Sequence, residues 1–317
     1  MSAEEIACQD LNAALAEWRG KGFRLDSIYP ADEPHTARLS RGGERVRLTI
    51  RPGEPLPTTS IPNFRPQFIF TKAVGAGGEG RAGMSYRDLI TGRLGGRYIA
   101  SHIRIAAGGP VDDWVHYHAV ALQMIYVASG WVRVVYQDQG EPFVMQPGDL
   151  VLQPPYIRHR VLESSAGLEV IEIGCPALHE TFSDHALDLP NGTASGLFSG
   201  QHFLRHEAGR TPWTAFDGGE AQETGMREAT GGLAEVRTIR SHGSASLHFP
   251  AHDGELAFGF VVSGSAWLEY GDGQTVAAAD AFVIPPGELW SLSGCSPDMR
   301  LLHVTTADMP ALVPARP

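Results

Sequence analysis

The sequence predicts an all-β protein: two similar β domains behind a small N-terminal α/β module. Three observations carry that prediction. Thirty-seven glycines and 22 prolines stand in a chain with few long helical patterns, a composition of short strands and tight turns. A long segment recurs: VASGWVRVVYQDQGEPFVMQPGDLVLQPPYIRH (127–159) reappears as VVSGSAWLEYGDGQTVAAADAFVIPPGELW (261–290). Finally, the length of 317 residues suits two domains of ordinary size plus an extra piece.

The repeat sets the organisation. Each copy has a strand, Ser-Gly, a second strand, a polar turn, an acidic residue, an apolar strand and Pro-Pro. Gly130 aligns with Gly264, Asp149 with Asp280, and Pro154-Pro155 with Pro285-Pro286. We divide the chain at 1–62, 63–190 and 191–317.

The first piece holds the best helix pattern, over 1–20, where Leu11, Leu15 and Trp18 repeat at helical spacing and Gly20 and Gly22 end it. Two strand-like runs follow, 23–30 and 44–53, the second alternating Val46, Leu48 and Ile50 with Arg45, Arg47 and Thr49. The piece faintly resembles half of a vicinal-oxygen-chelate unit, without evident metal ligands. Residues 52–66 read as a proline-rich linker and 75–83 as a flexible glycine loop. The GxG pattern in that loop lacks the preceding strand and following helix of a dinucleotide site.

Bulk numbers exclude several function classes. A net charge of −11 and a pI near 5.6 argue against nucleic-acid or anionic-membrane binding. No apolar run reaches the roughly 18–20 residues that span a bilayer, and the acidic start lacks a signal-peptide pattern. Cys8, Cys175 and Cys295 are too scattered for a disulfide framework and read as reduced thiols of a cytoplasmic protein.

The chemistry-bearing residues lie in the first copy. His116 and His118, at i and i+2, share one face of a strand, and His159 opens a later strand after Pro-Pro. Three imidazoles converging inside a β-barrel suit a divalent ion of the Fe, Mn, Co, Ni, Cu or Zn kind; burying them without partners would be costly.

Each copy resembles the cupin family, a jelly-roll barrel whose first motif is Gly-x5-His-x-His-x3,4-Glu-x6-Gly. Here GPVDDWVHYHAVALQMIYVASG supplies Gly109, His116, His118 and Gly130. The second motif, Gly-x5-Pro-x-Gly-x2-His, is met by Gly148, Pro154 and His159, with Tyr156 in place of the glycine. The resemblance implies two tandem cupin (jelly-roll) barrels, a metal on His116, His118 and His159, and a homodimer acting on a small molecule.

Departures from the pattern shape the expected function. Gln123 stands at the carboxylate position, so three neutral ligands would leave a divalent ion at +2 and favour anionic chelating substrates. The set resembles three-His cupins, among them Fe(II) dioxygenases, and Fe(II) oxygenase chemistry is the first expectation. A cupin lyase, isomerase or hydrolase, or a non-enzymic metal- or metabolite-binding cupin, is the alternative. A nucleotide-sugar isomerase or epimerase working without metal is a third reading. Gln123, Tyr156 and Arg158 are the candidate catalytic residues, Arg158 as a fork for a substrate carboxylate. Gln153 precedes the Pro pair. Tyr98, Ala100, His102 and Arg104 share a strand face that would be either cavity wall or subunit contact. Tyr126 and Tyr136 read as packing residues. His179, Glu180 and His185 form a loop leaving the barrel, with the wrong spacing for a zinc-protease motif.

In the second copy Pro250, His252, Ala257 and Trp290 replace His116, His118, Gln123 and His159. His248 adds no second ligand at workable spacing. That barrel is expected to be filled and metal-free.

Overall fold

The computed structural model describes residues 3–54, 60–73, 78–79, 84–243 and 246–312. The regular structure is mostly strand, arranged as two jelly-roll-like barrels and an N-terminal sheet. The glycine-rich loop expected over 75–83 lies outside the described residues except for Gly78–Glu79, a short strand paired with Met84–Asp88. Within the linker, 55–59 lie outside them too.

In the N-terminal module the helix is shorter than expected, Leu11–Gly20, because Asp10 caps it by accepting from the Ala13 N–H at 3.0 Å. Ahead of it Glu4–Ala7 is a strand, parallel to Glu44–Thr49. Leu11, Phe23, Leu25, Leu39 and Leu48 form the module's own core. Its sheet does not end there. Arg24–Tyr29 pairs with Thr181–Ser183, which pairs with His116–His118. The module therefore extends the sheet that carries all three candidate ligands.

The repeat is visible as duplicated hydrogen bonds. Asp149 Oδ2 accepts from Gln146 N–H at 2.9 Å, and Asp280 Oδ2 from Ala277 N–H at 3.0 Å. The Trp131 and Ser265 amides donate to Ser165 Oγ and Ser296 Oγ, each at 2.9 Å. Gly130 and Gly264 share a φ near +75°, and a Cβ on either would stand 2.4 Å from that serine oxygen. Only glycine fits both demands.

Each barrel also lends a strand to the other. Ile69–Thr71, ahead of the first barrel, pairs with Ala281–Val283 of the second; Leu204–His206, ahead of the second, pairs with Leu150–Leu152 of the first. The two aspartates secure the exchange with their other oxygens: Asp280 Oδ1 accepts from Ala73 N–H at 2.7 Å, and Asp149 Oδ1 from Ala208 N–H at 2.9 Å.

The barrels meet through their larger sheets. Met124, Tyr126, Ile171 and Ile173 share one continuous core with Phe258, Phe260, Leu302 and Val304. A buried Arg97–Glu255 ion pair, with Tyr98 Oη donating to Glu255 Oε2 at 2.8 Å, lies in the same contact. The face bearing Tyr98, Ala100 and His102 is thus the inter-barrel face, and His102 packs edge-on against Phe260. Because strand side chains alternate, Gln123, Ile125, Val170 and Glu172 turn the other way, into the first barrel. Among the described residues no helix is long and apolar enough to cross a membrane.

Candidate metal centre

The three histidines predicted to meet do so. His116 stands directly opposite His159 in the antiparallel pairing of their strands, and His118 lies two residues on, on the same face. All three are buried, and their candidate ligand nitrogens lie within 4.8 Å of one another. Ring centroids are 4.3 Å apart for His116–His159, 5.2 Å for His116–His118 and 5.3 Å for His118–His159.

Their outer nitrogens are anchored. His116 Nδ1 lies 2.7 Å from the Trp114 carbonyl, and His159 Nδ1 3.1 Å from that of Ile157. A carbonyl only accepts, so both rings carry their proton on Nδ1 and keep the Nε2 lone pair for a ligand. His118 Nδ1 meets Thr181 Oγ1 at 3.0 Å. Outer anchoring with inner nitrogens converging is the arrangement of metal-binding histidines. Bonds of about 2.0–2.1 Å place neighbouring ligand atoms about 3–3.5 Å apart, so small side-chain rotations would close this set on an ion. The residues fit a divalent metal.

They line a cavity of about 110 Å³. Gln123, Tyr136, Gln153, Glu172, His179 and Asp32 add polar groups to its wall; isoleucines, valines and methionines make up much of the rest. Gln123, 2% exposed, donates from Nε2 to Glu172 Oε1 at 2.6 Å. Gln153 Nε2 donates to Tyr136 Oη at 2.8 Å, and the Tyr136 ring stacks 5.4 Å from His159. Burial raises the Tyr136 pKa, which keeps the phenol protonated. Ala31 and Asp32, from the N-terminal module, complete the wall.

Two predicted catalytic residues stand elsewhere. Arg158 precedes His159 and so points to the opposite side. Its Nε donates to Asp184 Oδ2 at 3.0 Å, and its guanidinium lies 4.2 Å from the Tyr117 ring centroid. Tyr156 takes the left-handed φ of +64° at the usual glycine position, its amide donating to the His118 carbonyl at 3.2 Å. Neither side chain borders the cavity. Sequence reasoning missed Glu172, although an acid in the alternating strand LEVIEIGC was a signal, and treated His179 and Tyr136 as non-site residues.

Residues 101–174 match the family model described as Cupin domain. The chain carries a cupin domain. No curated protein matches it in sequence. Among solved structures, oxalate decarboxylase from Bacillus subtilis at pH 4.6 is similar over 80% of each chain, with 14% identity and a TM-score of 0.57. The Lactobacillus farciminis oxalate decarboxylase formate complex is similar over 81% of this chain and 90% of that one, with 13% identity and a TM-score of 0.57. At such identity the likeness establishes the two-barrel cupin fold.

The second cupin barrel corrects one alignment. Phe249 pairs with Trp290 as His116 pairs with His159, so Phe249, not Pro250, holds the His116 place. His252 keeps the His118 place: its carbonyl accepts from the Gly287 amide at 2.8 Å, as that of His118 does from Tyr156. One extra residue between them, invisible to an ungapped alignment, shifts the register. The amides of Gln153 and Ile284 donate to the carbonyls of Gln123 and Ala257 at 2.8 and 2.9 Å, matching those two positions as predicted. The interior is filled. Phe249 stacks on Trp290 at 3.7 Å between centroids, and Phe282 lies against Gly259, where a Cβ would meet its ring at 2.3 Å. His252 Nε2 is turned to the Ile284 carbonyl at 3.0 Å.

Proposed function

We propose that this protein is a metal-dependent cupin enzyme of the lyase class, acting on a small carboxylate. The observation that carries the proposal is the convergence of His116, His118 and His159 in a small cavity that also holds a carboxylic acid, Glu172. A divalent transition ion held by these rings would supply positive charge to bind and polarise a carboxylate. A cavity of about 110 Å³ suits a small molecule. Oxalate decarboxylases as fold neighbours favour C–C cleavage over oxygenation.

Loss of carbon dioxide breaks a C–C bond and leaves an electron pair on carbon, which then takes a proton. Glu172 is the carboxylic group on the wall that we assign to deliver it, oriented by the Gln123 amide at 2.6 Å. Tyr136, a protonated phenol fixed by Gln153, would donate a hydrogen bond to the substrate. The Fe(II) dioxygenase reading rests on a neutral ligand set. Glu172 beside that set is a proton source, which decarboxylation requires and oxygenation does not.

The test is elemental analysis of tag-free protein, followed by ¹³C NMR of small mono- and dicarboxylates with and without O₂. Metal-dependent decarboxylation without O₂ uptake is expected. Substrate-dependent O₂ consumption would return the oxygenase reading.

A further inference from the structure

The cavity wall carries two acceptors that the metal centre does not use. His179 is 3% exposed. Its Nδ1 lies 3.0 Å from the Pro176 carbonyl, so the proton is on Nδ1 and Nε2 can only accept. Nε2 is enclosed and has no hydrogen-bond partner among the described residues.

Asp32 stands in the same wall, 8% exposed. Its Oδ2 accepts from Arg93 at 2.6 Å, while Oδ1 has no partner among the described residues. The two residues are tied together: the Ala31 amide, next to Asp32, donates to the His179 carbonyl at 3.1 Å. A buried acceptor left without a donor destabilises the fold. Native proteins retain few such atoms without a reason such as an occupant.

We infer that the substrate is a hydroxy acid, its carboxylate directed to the three-histidine centre and its hydroxyl donating to His179 Nε2 or Asp32 Oδ1. This rests on the small-carboxylate reading above and narrows it. Oxalate, as a dianion, has no proton to give and would leave both acceptors unpaired. Arg93 offsets the charge of Asp32, so the pair suits a neutral donor better than an ammonium group.

The test compares matched ligands on cobalt(II)-loaded protein, following the cobalt absorption. The pairs are 3-hydroxypropionate with propionate, and malate with succinate; 3-aminopropionate is the ammonium arm. Wild type is expected to bind each hydroxy member about tenfold more tightly than its partner, the worth of one well-made hydrogen bond. That ratio should fall below about threefold in His179→Leu if the imidazole is the acceptor, with part recovered in His179→Gln, or in Asp32→Asn if the carboxylate is. Asp32→Asn provides a second route if His179→Leu does not fold.

Equal ratios in wild type, His179→Leu and Asp32→Asn, or no hydroxyl preference in wild type, would overturn the inference and leave the acceptors to water. A preference for 3-aminopropionate would overturn the hydroxyl assignment. Failure of wild type to take up cobalt would instead sink the proposed function. The same ligand pairs, read as Tm shifts of metal-free wild type and His179→Leu, then decide the inference alone.

Discussion

Glu172 and His303 hold the same position in the two barrels. Glu172 stands opposite Ile125, and His303 opposite Gly259, in corresponding strand pairs. One barrel places a carboxylate on its cavity wall; the other places a buried imidazole against Phe249 and Trp290. If Glu172 delivers the proton, Glu172→Gln should lower turnover by about 10²-fold or more, the usual worth of a general acid, with metal content unchanged. Product formation and elemental analysis on the same sample check both halves.

His303 should make the fold acid-sensitive. Burial, reinforced by the Arg237 and His252 charges, pushes its pKa down to about 3 from an ordinary 6.5. The unfolded chain therefore binds the proton first. The stability contributed is complete above about pH 6.5 and is lost as pH falls toward 3. At pH 5 the loss amounts to about 2 kcal/mol. His303→Leu should flatten the urea-midpoint profile between pH 7 and 5 by about that amount; an unchanged slope would contradict it.

The Phe249–Trp290 stack should carry much of the second barrel's packing. Trp290→Ala, removing a 5% exposed ring, is expected to cost about 3–5 kcal/mol by urea unfolding. Metal content under native conditions should stay at the wild-type level.

Arg158 offers a negative control. Its Asp184 pairing and its place outside the cavity wall predict that Arg158→Ala changes KM and kcat by less than about threefold. A large KM rise would restore its role as a substrate fork.

Much of this was legible in sequence because it follows local periodicity. Two residues apart on a strand is one face, so His116 and His118 had to agree, and the duplicated Ser-Gly and Pro-Pro punctuation placed His159. What escaped depends on non-local pairing. An ungapped reading sets Pro250 where Phe249 belongs, because an added residue before His252 shifts a register that only the strand partner reveals. Glu172 faces the cavity through the pairing of Leu168–Cys175 with Leu122–Ser129, which alternation within one strand does not fix. The exchange of Ile69–Thr71 and Leu204–His206 between barrels leaves no local trace. His179 reads as loop until the chain folds it beside His118, at 5.3 Å between rings.

The most direct measurement is metal stoichiometry in protein purified without an affinity tag, set beside His116→Ala and His159→Ala. One equivalent of a divalent transition metal in wild type, falling below about a tenth in each folded variant, is the predicted result, since removal of one of three ligands opens the set. Full occupancy in either variant would show that these rings do not hold the metal.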